Sequence, residues 1–207
     1  MAATRMARSS QQLAADLCAF INAGPSPFHV VAESARRLDA AGFQRLSEST
    51  PDWNLRPGKK YYVTRGQSAF LAFALGEEFV PGNGYTITAA HSDSPCLRVK
   101  PVSALQKGGY HSVGVETFGG GIWHTWMDRD LSVAGRVIVA RGDGKYDSRL
   151  VDIRRPILRV PTCVPSCPGR PLVAFAPRPL TRNAARPLFP TTLCSLPSAL
   201  PFTWTAA

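Results

Sequence analysis

Apolar residues near the start of the chain recur every three or four positions, the spacing of amphipathic helices. A first helix begins at the capping-box pattern S-x-x-Q of residues 9–12 and ends at Gly24. A second helix begins with Ser26 as N-cap and Pro27 in its first turn, and Gly42 ends it. The predicted buried positions are Leu13, Leu17, Phe20 and Ile21 in the first helix, and Phe28, Val31, Ala35 and Leu38 in the second.

The period changes near residue 60, where glycines separate short blocks rich in aromatic and β-branched residues. The blocks are KYYVTR (60–65), SAFLAFALG (68–76) and GYTITAA (84–90). The last two are almost continuously apolar, which is typical of inner strands in a sheet covered on both faces. Residues 1–96 are therefore predicted to form an α/β layer domain.

Residues 97–161 change character again, with spaced strand-like blocks, glycine-rich joints and no convincing helix. The blocks read LRVKPV, HSVGVETF, LSVAGRVIVA and LVDIRRPILRV. This spacing predicts a β-rich unit, a small barrel or a sandwich.

The end of the chain is proline-rich, with ten prolines, four arginines and no acidic residue between residues 161 and 207. Prolines at this density remove ladder donors and break helices. Residues 162–207 are therefore predicted to be a disordered tail.

The composition suits a globular protein, with 44% hydrophobic residues and no apolar run of the ~18 residues that a membrane span needs. The N-terminus lacks the apolar core of a secretory signal. Its early arginines weakly resemble a transit peptide, but we favour a cytoplasmic protein without a targeting segment. An odd number of cysteines favours a reducing compartment over a disulfide framework; they are Cys18, Cys96, Cys163, Cys167 and Cys194.

The formal net charge of +10 raises the question of a nucleic-acid partner. No basic run is interleaved with aromatic residues in the manner of a base-stacking surface. We therefore expect a solvated basic surface, and neither a nucleic acid nor a membrane as partner.

Candidate metal chemistry follows the apolar block 84–90, where His91-Ser92-Asp93 begins. Active sites of open α/β sheets form at the carboxyl ends of strands. Imidazole is a zinc ligand, and a carboxylate two positions on can bond its other ring nitrogen. On this pattern alone, a structural histidine at a strand end stays open as the alternative.

Four longer strings carry a family resemblance, in order and almost without gaps, over residues 10–161. They are PSPFHVVAESARRLDAAGF, PGNGYTITAAHSDSPCLRVKP, VGVETFGGGIWHTWMDRDLSVAGRVIV and RRPILRVP. Together they resemble the N-terminal part of the M18 family of zinc metallopeptidases, the aspartyl aminopeptidases.

The resemblance implies a fold, an activity and two site residues. The fold would be the start of a zinc-aminopeptidase catalytic α/β domain followed by a partial β-rich dimerisation domain. Family members release N-terminal aspartate or glutamate from peptides with two zinc ions, and they assemble as homo-oligomeric dodecamers. His91 would be a zinc ligand and Asp93 the catalytic carboxylate that orients it, while substrate-binding residues stay unidentified.

The remaining ligands that the resemblance calls for have no counterpart in this chain. No acidic residue follows Asp152, no histidine follows His124, and the pair Glu77-Glu78 matches no family position. We therefore expect this chain to be inactive alone. The alternative is a non-catalytic truncated isoform that associates with full-length subunits through residues 100–160, its tail arising from splicing, a retained intron or a wrong gene model.

Overall fold

The computed structural model describes residues 9–107, 110–161 and 192–195. These residues form two compact units. The first unit contains the described residues up to Ser94 together with Ala134–Asp152, and the second contains Pro95–Val133 together with the described residues from Ile153 onward.

The elements of the described residues are two α-helices, one 3-10 helix and ten strands. In chain order they are α1 (Ser10–Ala23), α2 (Pro27–Ala40), β1 (Gln44–Arg45), β2 (Lys60–Arg65), β3 (Ala69–Ala74), β4 (Cys96–Lys107), β5 (Tyr110–Phe118), the 3-10 helix (Trp123–Trp126), β6 (Asp130–Leu131), β7 (Ala134–Ala140), β8 (Tyr146–Asp152), β9 (Leu158–Arg159) and β10 (Thr192–Ser195).

Both predicted helices form with the predicted caps. The Gln12 amide donates to Ser9 Oγ at 3.2 Å, and the Ser9 amide donates to Gln12 Oε1 at 2.9 Å, which completes the capping box. Ser26 caps α2 through the His29 amide. Gly42 follows α2 with φ +79°, a left-handed conformation that favours glycine.

The first sheet has the strand order β1-β2-β3, with β1 parallel and β3 antiparallel to β2. Tyr61 and Tyr62 of β2 are its buried centre. The Tyr62 hydroxyl donates to Asp39 Oδ1 of α2 at 2.8 Å, which fixes the helix to the sheet. Burial and this hydrogen bond raise the pKa of the Tyr62 hydroxyl.

The prediction that residues 68–76 form an inner strand is wrong. Within the described part of the chain β3 pairs with β2 alone and lies at the edge of the sheet. Its Phe70 and Leu71 side chains are exposed. A strand becomes an inner one only when two neighbours pair with it, and the described residues provide one.

The strand predicted over residues 84–90 is also absent from the described elements. Tyr85 and Ile87 of this segment are 76% and 81% exposed. A strand needs a neighbour that bonds its N–H and C=O groups, and no described strand lies beside this segment.

The β7–β8 hairpin belongs to the first unit, whereas the sequence predicted it within a domain of residues 97–161. Side-chain contacts explain the grouping. The Arg136 guanidinium lies 4.4 Å from the centre of the Phe28 ring of α2, and it donates to the Gly66 carbonyl at 3.3 Å. Ser148 Oγ donates to Gln67 Oε1 at 3.1 Å.

The second unit is a five-stranded sheet of order β4-β5-β10-β9-β6. Val115, Leu158 and Val160 form its core, and a bulge interrupts the β4–β5 pairing between Val99 and Ala104. The β-rich character is as predicted. The described residues form one sheet where a barrel or sandwich was expected, because the β7–β8 hairpin groups with the first unit.

The predicted disorder of residues 162–207 lies outside the described residues, apart from β10. This strand pairs antiparallel with both β5 and β9.

Candidate metal site

The side chains of His91 and Asp93 contact each other, as the sequence predicted. His91 Nδ1 lies 2.9 Å from Asp93 Oδ1. Because a carboxylate only accepts hydrogen bonds, Nδ1 carries the proton and Nε2 is the ring nitrogen left for a metal. The His91 side chain is 90% exposed and that of Asp93 is 37% exposed, so the ligand face of the ring opens to solvent.

A hydrogen bond from Ser92 holds this segment against the first sheet. Ser92 Oγ donates to the Ser68 carbonyl at 2.8 Å, in the turn between β2 and β3. Ser92 thus contacts the β2–β3 turn, while His91 and Asp93 contact each other. The sequence analysis assigned no role to Ser92, because nothing in the sequence marks a partner 24 residues away.

The other histidines lie on other elements. His29 Nδ1 lies 2.7 Å from Oγ of Ser26, the N-cap residue of α2. This contact gives His29 a structural role in the first turn of the helix. His111 lies in β5 and His124 in the 3-10 helix, both in the second unit.

The donor set fits one zinc ligand with its orienting carboxylate and does not fit a complete zinc site. Among the residues that the structure describes, no three or more His, Cys, Asp or Glu side chains are grouped so that they could hold a metal ion. Glu77 and Glu78 are exposed and form no such group with His91. A structural zinc takes four protein ligands and a catalytic zinc three.

Comparison with known proteins identifies the chain. The family model described as "Aminopeptidase I zinc metalloprotease (M18)" matches residues 20–167. That match covers more than half of the chain and includes the segment with His91 and Asp93. The chain is thus one of the zinc metallopeptidases. More particularly, it belongs to the M18 family.

Curated and solved relatives agree with this assignment. The chain is 53% identical over 149 residues to the aspartyl aminopeptidase of Dictyostelium discoideum, covering 72% of this chain and 31% of the relative. Among solved structures, the cryo-EM structure of the Ape4 and Nbr1 complex superposes with a TM-score of 0.74 at 48% identity, covering 78% of this chain and 31% of that one. A structure of the mApe1 dodecamer gives a TM-score of 0.68 at 31% identity, covering 74% and 36%.

The chain therefore spans about a third of the length of the relatives it matches. No helix among the described residues is long and apolar enough to cross a membrane.

Proposed function

We propose that this chain supplies the first part of a zinc aminopeptidase site that releases N-terminal aspartate or glutamate from peptides. The M18 match supports the reaction class, and the name of the Dictyostelium relative supports the substrate class. The observation that carries the proposal is the hydrogen bond between His91 and Asp93, which leaves Nε2 facing solvent.

The role of each residue follows from its contacts. His91 binds zinc through Nε2, Asp93 accepts a hydrogen bond from the proton of Nδ1 and orients the ring, and Ser92 anchors the segment to the turn before β3. When bound, zinc in peptidases polarises a carbonyl and generates hydroxide from water near neutral pH. The resemblance implies two zinc ions. The further zinc ligands would be supplied by residues outside the described part of this chain.

The experiment is a chimera in which residues 1–161 of this chain precede the rest of the Dictyostelium aspartyl aminopeptidase. We expect it to bind zinc and to hydrolyse an N-terminal aspartyl peptide. His91→Ala should lower zinc content and abolish turnover, whereas Ser94→Ala, an exposed neighbour, serves as the matched control. An active chimera with unchanged zinc content after His91→Ala would refute the role of His91.

Asp93→Asn separates orientation from ligation. The amide keeps the size of the side chain but loses the charge that stabilises the protonated Nδ1. We expect zinc affinity to fall about 10–100-fold, the usual effect of losing such an orienting partner. Zinc affinity equal to that of the parent chimera would show that Asp93 does not orient the ring.

A second candidate function is non-catalytic association with M18 subunits in the cytoplasm, as a truncated isoform. Two observations favour association: the mApe1 relative is a dodecamer, and the second unit exposes Val102 and Ile122, which are 89% and 68% exposed. The scattered cysteines suit a reducing compartment.

Co-purification of the 207-residue chain with a tagged Dictyostelium relative tests this association. We expect capture that Val102→Asp weakens and that Val80→Asp, at an exposed position of the first unit, leaves unchanged. Failure of the two chains to co-purify at micromolar concentration would rule the association out.

A further inference from the structure

Strand β10 lies in the middle of the sheet of the second unit. The strand order is β4-β5-β10-β9-β6, and β10 pairs antiparallel with both of its neighbours. Residues 192–194 lie opposite residues 112–114 of β5, and residues 194–195 lie opposite residues 158–159 of β9. This short segment near the end of the chain is therefore an inner strand.

The two neighbours of β10 carry the core of this unit, and within the described residues they do not pair with each other. Val115 of β5 and Leu158 of β9 are both buried and belong to the same core cluster. Without β10 the sheet would divide into the pieces β4–β5 and β9–β6. Two-stranded pieces are marginally stable by themselves, and the backbone groups that face β10 would lose their partners. Closure of the sheet thus depends on the four residues of β10.

The segment that closes the sheet lies beyond the family match. The family model matches residues 20–167, which include β4, β5, β6 and β9 but not β10. The density of prolines predicted a disordered tail over residues 162–207 as a whole. Residues 191–196, however, read TTLCSL, without proline or charge and with two β-branched threonines. That composition suits an inner strand, which accepts no proline and favours β-branched residues.

We propose that residues 192–195 are a closing strand that this chain supplies to its own second unit. The strand fills the slot between β5 and β9, so the unit needs no strand from another chain at this position. Added strands are bound mainly through backbone hydrogen bonds, so the slot suits an uncharged, proline-free extended peptide. By occupying the slot, β10 excludes such peptides. The closing strand requires neither the zinc site nor the proposed activity.

A disulfide between β5 and β10 gives the first test. Cys194 lies opposite Ser112, and the Cα atoms of such antiparallel pairs are about 4.5–5.5 Å apart, which a disulfide can span. In the variant Ser112→Cys, oxidised glutathione should join positions 112 and 194 within one chain, as peptide mapping and a non-reducing gel would show. The matched control adds Cys194→Ser and reveals any bonds that the other cysteines form. A bond that joins two chains, or none to Cys194, would overturn the proposal.

Hydrogen exchange of the 207-residue chain gives the second test. In the parent, the amides of residues 112–114 and 158–159 should be protected at any protein concentration. Leu193→Pro places a proline in an inner strand, so amides in both stretches should exchange at least about tenfold faster. Leu200→Pro, the same change outside β10, should leave them unchanged. The amides of β2 in the first unit should stay protected in both variants, which distinguishes release of β10 from global unfolding.

A synthetic peptide of sequence TTLCSL, residues 191–196, tests whether the slot is filled. It should restore protection of residues 112–114 in Leu193→Pro and should have no effect on the parent. Unchanged exchange in Leu193→Pro would overturn the proposal, because β10 would then not hold the sheet together. Protection in the parent that rises with protein concentration would also overturn it, since the strand would then come from a second copy. A peptide that protects the parent as well would show that the tail does not occupy the slot.

Discussion

Glu33 in α2 makes the stability of the first unit depend on pH. Its carboxylate accepts from Arg36 Nε and Nη2 and from Arg37 Nε, each at 2.7 Å. The hydrogen bonds from Arg36 and then Arg37 lower the pKa of Glu33 from 4.5 to about 2. The perturbation we consider is Glu33→Gln, which keeps the size of the side chain and removes its charge.

The sign follows from the direction of the shift. The folded state holds the Glu33 proton less tightly than the unfolded state does, so the ion network stabilises the fold above pH 4.5. That stabilisation is lost as the pH falls from 4.5 to about 2. The charge-neutral Glu33→Gln variant should lack this pH dependence.

The magnitude is set by exposure. The Glu33 side chain is only 11% exposed, but Arg36 is 68% and Arg37 39% exposed, so water screens the pairs. Pairs of this spacing on a helix contribute about 0.3–0.5 kcal/mol each, which puts the network at about 1 kcal/mol. That is well below the roughly 3 kcal/mol that the full pKa shift would imply without screening.

The assay is urea unfolding of the parent chain and Glu33→Gln at several values between pH 7 and pH 2.5. We expect a difference of about 1 kcal/mol at neutral pH that shrinks toward zero at the acidic end. The exposed Glu77→Gln serves as control. A difference that stays constant with pH, or an equal difference for the control, would refute the reasoning.

Two further predictions concern packing between elements. Tyr62→Phe should cost about 1–2 kcal/mol in the free energy of unfolding, because the hydrogen bond to Asp39 is lost while the exposed carboxylate regains water. Val115→Ala should cost about 2 kcal/mol, since Val115 is 1% exposed, whereas Val102→Ala, at a position 89% exposed, should cost less than about 0.5 kcal/mol. Denaturant unfolding measures both, and equal costs at positions 115 and 102 would contradict the assigned core.

Local signals in the sequence predicted local structure well. The capping box at residues 9–12 and the Ser26-Pro27 start depend on atoms within one helical turn, and both helices form at these positions. His91 and Asp93 lie two residues apart in the chain, so the hydrogen bond between them is also a local contact.

Features that depend on distant partners were not predictable in the same way. Apolar content indicates that residues 68–76 and 84–90 are suited to burial, but the strands that would bury them are not among the described residues. The grouping of the β7–β8 hairpin with the first unit depends on Arg136 meeting Phe28, a contact across more than a hundred residues that no periodicity encodes.

The measurement that tests the central claim most directly is hydrolysis of an N-terminal aspartyl peptide by the purified 207-residue chain with added zinc, beside the Dictyostelium relative. We predict turnover by the relative and none by this chain, because its described residues contribute one oriented histidine and no group of three metal ligands. Turnover by this chain that His91→Ala abolishes would contradict the account, since its own residues would then complete the site.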